Sequence, residues 1–219
     1  HLKLKDIYPN ILTIVIPRHI NRKDQIIDLF NNLNIKTDKH DDLAIHHQGE
    51  INIDIESPND CPVFMTRIIN NIDINRETPD WMIKRLESSG FKSNNIIVDI
   101  TNYVMLELGQ PMHAFDRDQL VGAVDVRMAN DGEQLVLLDG KTLTLTNDVL
   151  VVADQEKPLA LAGIMGGEHS GIAETTTSVF LESAYFNPIT VAGKARRYGL
   201  HTDASARFER GVDWQLAEH

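Results

Sequence analysis

The sequence predicts an α+β fold, a mixed β-sheet with helices packed on it, and three observations carry that prediction. Seven short β-type runs are spread along residues 51–181, each only three to six residues long. Helical patterns are few, and they do not alternate regularly with the strands as a βαβ protein requires. At 219 residues and 42% apolar content, the chain is long enough to bury a real core.

In chain order, residues 1–38 read as a strand at Ile11–Ile16, a turn at Pro17–His19 and a helix near Arg22–Asn32. That is a strand–loop–helix unit of Rossmann type. Lys39–Glu50, polar and carrying His40, His46 and His47, reads as a solvated junction, since its histidines lack a repeating ligand spacing. Ile51–Glu56 alternates as a strand does. Thr78-Pro79 opens a helix with a cap residue and a proline at its first position, and Gly90 closes it. Ile97, Ile100, Val104 and Leu108 recur at helical spacing, with Asn95 as N-cap and Gly109 where a left-handed C-cap belongs. Pro111 cannot continue that helix, so Met112-His113-Ala114 is expected as a turned, partly exposed segment presenting one imidazole.

Strands follow at Ala123–Met128, then at Leu135–Leu138 and Thr142–Thr146 around Asp139-Gly140, a strong hairpin signal. Val149–Ala153, Leu159–Ala162 and Val179–Leu181 are further strands. Asn187-Pro188 starts a helix, and the last helix begins near Asp203 or Ser205. There are no internal repeats and no low-complexity tract.

Charge limits the function. With 21 basic and 32 acidic side chains the net is −11, the wrong sign for a module that grips phosphates broadly. The balance is uneven: seven Lys/Arg against four Asp/Glu in residues 1–40 leave 14 basic and 28 acidic side chains beyond. Lys194, Arg196, Arg197, Arg207 and Arg210 cluster late in the chain. They read either as a solvated helical face, with Asp203 and Glu209 as partners, or as a local positive rim for the end of a nucleic acid. One cysteine, Cys61, excludes a disulfide framework and reads as a buried structural thiol. The longest apolar run is too short to span a bilayer and no signal peptide opens the chain, so no membrane role is expected. Starting at His1 without Met, the chain reads as a fragment or a trimmed piece.

Four blocks carry a family resemblance: IIVDITNYVMLELGQPMHAFD (Ile96–Asp116), LALAGIMGGEHSG (Leu159–Gly171), VFLESAYF (Val179–Phe186) and ARRYGLHTDASARFERGVD (Ala195–Asp213). With PNDCPVFMTRIINNI and TPDWMIKRLESSG, they resemble the B3/B4 module of the bacterial phenylalanyl-tRNA synthetase β subunit, from about Asn52 to the C-terminus. The resemblance implies a B3/B4-like fold over residues 41–219 and an editing activity that hydrolyses the ester of mischarged tyrosyl-tRNA(Phe). It also implies a cytoplasmic protein whose partners are the acceptor end of tRNA(Phe) and a synthetase α subunit. ATP and Mg²⁺ would serve the intact synthetase, with no cofactor and no metal in this chain and no aminoacylation site. Residues 1–40 look of different origin. Through HLKL, PNILTIVIPRH and Arg22, residues 1–38 resemble a piece of a Kdo (3-deoxy-manno-octulosonate) transferase, with Pro17-Arg18-His19 near its sugar-nucleotide site. Forty residues cannot build that two-domain fold, so a fused frame and a chance likeness both stay open.

The site expectations follow. Glu182 sits in an apolar strand where a carboxylate is costly unless paired. It is either a buried salt-bridge partner of Arg196 or Arg207, or the acceptor that a tyrosine hydroxyl completes; the resemblance gives it the second role. The resemblance also carries His113 to the pocket wall, Gly166 to a backbone group near the phenol, and Thr202 and Ala204 to the amino-acid ring and ester. Paired glycines let main chain approach a ligand, Ala204 leaves room for a ring, and Thr202 can hydrogen-bond water or the terminal ribose. Lys92 stands where the family usually has Arg, near the tRNA end; Lys keeps the charge but loses the bidentate fork. Arg196 and Arg197 would meet the tRNA. The chain shows no nucleophile elbow, no Ser/His/Asp pattern and no HExxH box. A water positioned against a labile ester therefore fits better than a dedicated base, with His113 and Thr202 as the catalytic candidates. A non-catalytic scaffold and a sugar-transferase relic are the rival readings.

Overall fold

The computed structural model describes residues 51–218. The expected strand Ile11–Ile16, the helix near Arg22–Asn32 and the junction Lys39–Glu50 lie outside the described residues. In chain order the elements are β1 (Ile53–Ile55), β2 (Val63–Asn70), α1 (Asp80–Ser88), α2 (Ile96–Leu108), β3 (Met112–Asp116), β4 (Val124–Met128), β5 (Gln134–Val136) and β6 (Thr142–Thr144). Then come β7 (Leu150–Ala153), β8 (Pro158–Leu161), β9 (Met165–Gly166), β10 (Ser178–Tyr185), α3 (Pro188–Val191), α4 (Lys194–Arg197) and α5 (Asp203–Phe208). This is the α+β arrangement the sequence predicts.

A five-stranded sheet runs β1-β4-β7-β8-β9, with β1 parallel to β4 and the other pairs antiparallel, so it is mixed. All four residues of β7 and all four of β8 are buried, which is why those stretches read as continuous apolar runs. A second sheet, β2-β10-β3, is antiparallel and carries the site. Its inner face adds Phe64, Phe115, Phe180 and Ala184 to the same core. The hairpin β5–β6 is short and hangs on the large sheet through a bridge between Leu137 and Gly167.

Helix α2 forms as its sequence dictates. Asn95 Oδ1 accepts from the N–H groups of Ile97 and Val98, and Gly109 closes the helix at φ 77°, its N–H donating to Met105 O. Helix α1 begins at Asp80, with Pro79 as the cap residue, not the first helical one. Two of these expectations need correction, and one strand has no expected counterpart. Met112-His113-Ala114 is not a turned segment but the start of β3: Pro111 ends the helix, and β10 offers an unpaired edge that the next five residues fill. Strand β10 runs through Glu182 and Ser183 to Tyr185, well past the expected Leu181, because its outward and inward positions alternate. Strand β2, in a stretch without an expected element, pairs along all eight of its residues with β10.

Candidate functional site

The site is built on one register position. His113 of β3 and Glu182 of β10 are direct cross-strand partners, and Thr66 of β2 stands opposite Glu182 on the other side. Residues directly opposite in an antiparallel pair project to the same face. Here that face is the inner one, where Phe180 and Ala184 flank Glu182 two residues away on each side.

Glu182 is 7% exposed. No ion pair among the described residues includes it: Arg207 pairs with Asp203 at 2.9 Å, and Arg197 pairs with Asp148 at 2.7 Å. The salt-bridge alternative for Glu182 is therefore corrected; Arg196 and Arg197 are exposed on α4 and Arg207 is held by its own helix. Left without a countercharge, the carboxyl is pushed up to about 8 by burial, so it is a neutral acid at pH 7. Its facing imidazole behaves in the mirror sense. Burial lowers His113 to about 4, its Nε2 is buried without a hydrogen-bond partner, and its ring packs edge-on against Phe115 at 4.4 Å. Two adjacent titratable groups are thus both uncharged at neutral pH, each with unused hydrogen-bonding capacity.

Gly166 closes the third side. A Cβ built there would lie 2.3 Å from His113 Cε1 and 2.5 Å from Nε2, so the main chain of β9 touches the imidazole directly. Leu138, half-exposed beyond β5, would be 3.3 Å from the same atom. Cys61, fully buried, lies near this site, and burial pushes its thiol up.

Thr202 is the N-cap of α5. Its hydroxyl accepts from Ser205 N–H at 3.0 Å and donates to Ile164 O at 2.8 Å, two residues before Gly166. It ties α5 to the loop that delivers Gly166. Ala204, in the first turn of that helix, is half-buried against the core. Lys92 is exposed in the α1–α2 connection. Buried Asp99 fixes that connection, accepting from Thr78 Oγ1 (2.7 Å), Ser93 Oγ (2.6 Å) and the Asn94 N–H (2.9 Å). On α4, Asp148 engages both Lys194 and Arg197, and the paired cations hold its carboxyl well below the usual carboxylate range.

Sequence reasoning overlooked Gln110. It is 1% exposed, and its Nε2 donates to Pro111 O (3.1 Å) and to Ala184 O (2.8 Å). Its position between a helix-ending glycine and a proline was the available signal. The described residues contain no group of His, Cys, Asp and Glu that could hold a metal ion, and no helix among them is long and apolar enough to cross a membrane.

Residues 60–219 match the family described as B3/4 domain. The chain belongs to the B3/4 domain family. Among relatives of this B3/4 domain, the phenylalanine–tRNA ligase beta subunit of Pseudomonas fluorescens (strain Pf0-1) is 58% identical over 171 residues, 78% of this chain and 22% of the relative. The corresponding subunit of Idiomarina loihiensis is 46% identical over 211 residues, 96% of this chain and 26% of its own length. The chain thus spans about a quarter or less of these relatives. The Idiomarina alignment takes in most of the first fifty residues, whereas the Kdo-transferase likeness of residues 1–38 finds no support in the comparisons. An N-terminal fragment of the phenylalanyl-tRNA synthetase beta-subunit from Pyrococcus horikoshii covers 70% of this chain and 51% of that one, at a TM-score of 0.47 and 15% identity, too distant to bear on the site.

Proposed function

We propose that this B3/4 domain is an editing module that hydrolyses the ester of tyrosine wrongly attached to tRNA(Phe), within a phenylalanine–tRNA ligase beta subunit such as its relatives. One observation carries the reading: Glu182 is buried, unpaired by any cation, and faces a buried imidazole that also lacks a partner at Nε2. Phenylalanine and tyrosine differ by one hydroxyl, and an apolar cavity that fits tyrosine admits phenylalanine too. A buried polar group that only a phenol satisfies rejects phenylalanine by leaving itself unpaired. Because Glu182 is neutral at pH 7, it both donates to and accepts from the phenolic O–H, a refinement of the carboxylate acceptor expected from sequence.

His113 and Gly166 wall the ring, and His113 positions the substrate. Thr202 contributes by holding the Gly166 loop, its hydroxyl hydrogen already given to Ile164 O. Ala204 keeps the space beside it small-sided. The ester needs only a placed water, so no cofactor enters the reaction, and ATP and Mg²⁺ belong to the ligase reaction elsewhere in the assembly. Lys92, Arg196 and Arg197 are the exposed cations assigned to the tRNA end, and the synthetase α subunit is the partner of the whole beta subunit.

Deacylation of Tyr-tRNA(Phe) and Phe-tRNA(Phe) by the chain tests the reading. The expected result is faster release of tyrosine, and a loss of that preference by a factor of roughly a hundred or more in Glu182→Ala. Equal discrimination in the variant would reject the assignment, and no hydrolysis of either ester would favour a non-catalytic module.

A further inference from the structure

Strand β3 approaches β10 with one hydrogen bond that its backbone cannot make. Pairing places residue 113 opposite 182 and residue 115 opposite 180, so the next position of the same parity sets Pro111 opposite Ala184. The orientation of the ladder follows from Asp116, whose N–H turns away from β10 to Ser170 O at 2.9 Å. Backbone donors alternate sides along a strand, so positions 115, 113 and 111 turn theirs toward β10. Position 111 is a proline and has no donor to give.

The Gln110 side chain supplies it. Its amide nitrogen donates to Ala184 O at 2.8 Å and to Pro111 O at 3.1 Å. One NH₂ group therefore bridges the two carbonyls that lie two residues from His113 on one strand and two residues from Glu182 on the other. The side chain is 1% exposed, so water is a poor substitute for it. Slippage or fraying here would move the two facing side chains relative to each other.

We infer that Gln110 is a positioning residue: its carboxamide replaces the N–H that Pro111 lacks and fixes the His113–Glu182 pair at the distance that tyrosine selection needs. The selectivity part rests on the editing function proposed above; the clamp itself rests on geometry alone.

Two variants of the whole chain test it, Gln110→Leu and Gln110→Leu with Pro111→Ala, the second returning a backbone N–H to position 111. Amide hydrogen exchange at His113 and Glu182 is read beside the Tyr-over-Phe deacylation preference. Gln110→Leu should speed exchange at both amides at least tenfold and cost the preference by at least roughly tenfold. Adding Pro111→Ala should restore both to within about threefold of the original chain, which loss of side-chain packing alone would not allow. Unchanged exchange in Gln110→Leu, or no recovery in the double variant, overturns the inference. Should Gln110→Leu fail to fold, recovered folding in the double variant supports the clamp and continued failure overturns it. If the unmodified chain shows no tyrosine preference, the editing reading falls while the exchange data still decide the clamp.

Discussion

Gly166 lies so close to His113 that a methyl group on its α-carbon would stand 2.3 Å from the imidazole Cε1. Gly166 has no positive φ among the glycines that do, so the demand for glycine is steric, not conformational. Gly166→Ala should therefore overpack the site, lowering stability by about 1–3 kcal/mol and impairing tyrosine release. With the opposing ring removed, Gly166→Ala should cost less stability in a His113→Ala background than in the original chain. Thermal melts of the four proteins measure it, and purely additive losses would show that the contact is not the cause.

The facing pair makes stability depend on pH in opposite directions. Glu182 is raised by burial to about 8, so the folded chain holds a proton there that the unfolded chain has released above its ordinary value of 4.5. Its stabilisation is complete below pH 4.5 and is lost as pH rises through 8. His113 is lowered to about 4, so the unfolded chain binds the extra proton between 6.5 and 4, and stability falls as pH drops through that window. Between pH 6.5 and 8 only the Glu182 effect operates. Relative to Glu182→Gln, the chain should lose on the order of a few kcal/mol across the range from 4.5 to 8. Melting temperatures at half-unit pH steps would reveal it, and parallel curves would contradict it.

Thr202 is a cap before it is anything else. Thr202→Ala removes the acceptor for Ser205 N–H and the donor to Ile164 O, and should cost about 1 kcal/mol or somewhat more. Thr202→Ser keeps both bonds and should stay near the original stability and tyrosine release. A stable Thr202→Ala chain with activity lost would instead give the hydroxyl a chemical role.

Asp148 neutralises Arg197, one of the cations proposed for the tRNA end, together with the neighbouring Lys194. Asp148→Asn should leave Lys194 and Arg197 free for phosphate, tightening RNA binding and steepening its dependence on salt by about one phosphate contact. The melting temperature should change little, because Arg197 and Asp148 are both about half-exposed. Fluorescence anisotropy with an acceptor-stem RNA across a salt series measures it; an unchanged slope would mean that this rim does not meet RNA.

What the sequence made legible was local. Helix α2 could be read to both ends because its signals are covalent neighbours, with Asn95 capping and Gly109 terminating. Strands β7 and β8 were equally plain, since both are buried on both faces, whereas the two-residue β9 of the same sheet carries no such signal. Glu182 stood out as an acid in an apolar run, and family likeness paired it in role with His113. Their facing positions, 69 residues apart in the chain, came only with the register of β3 and β10. The β3 segment reads as a turn in the sequence because a proline after a helix says where a helix ends and nothing about which strand waits beside it. Gln110 was invisible for a related reason: its meaning depends on a carbonyl 74 residues away.

The chain's single thiol has a practical consequence. Cys61 is fully enclosed, hydrogen-bonded to Val63 O at 3.5 Å, and held protonated by its burial. Folded protein should ignore a maleimide at neutral pH, so each labelling event marks a molecule that has momentarily come apart around the second sheet. Nature has left a stopwatch inside the cleft, one that needs no engineered probe to time how often it opens.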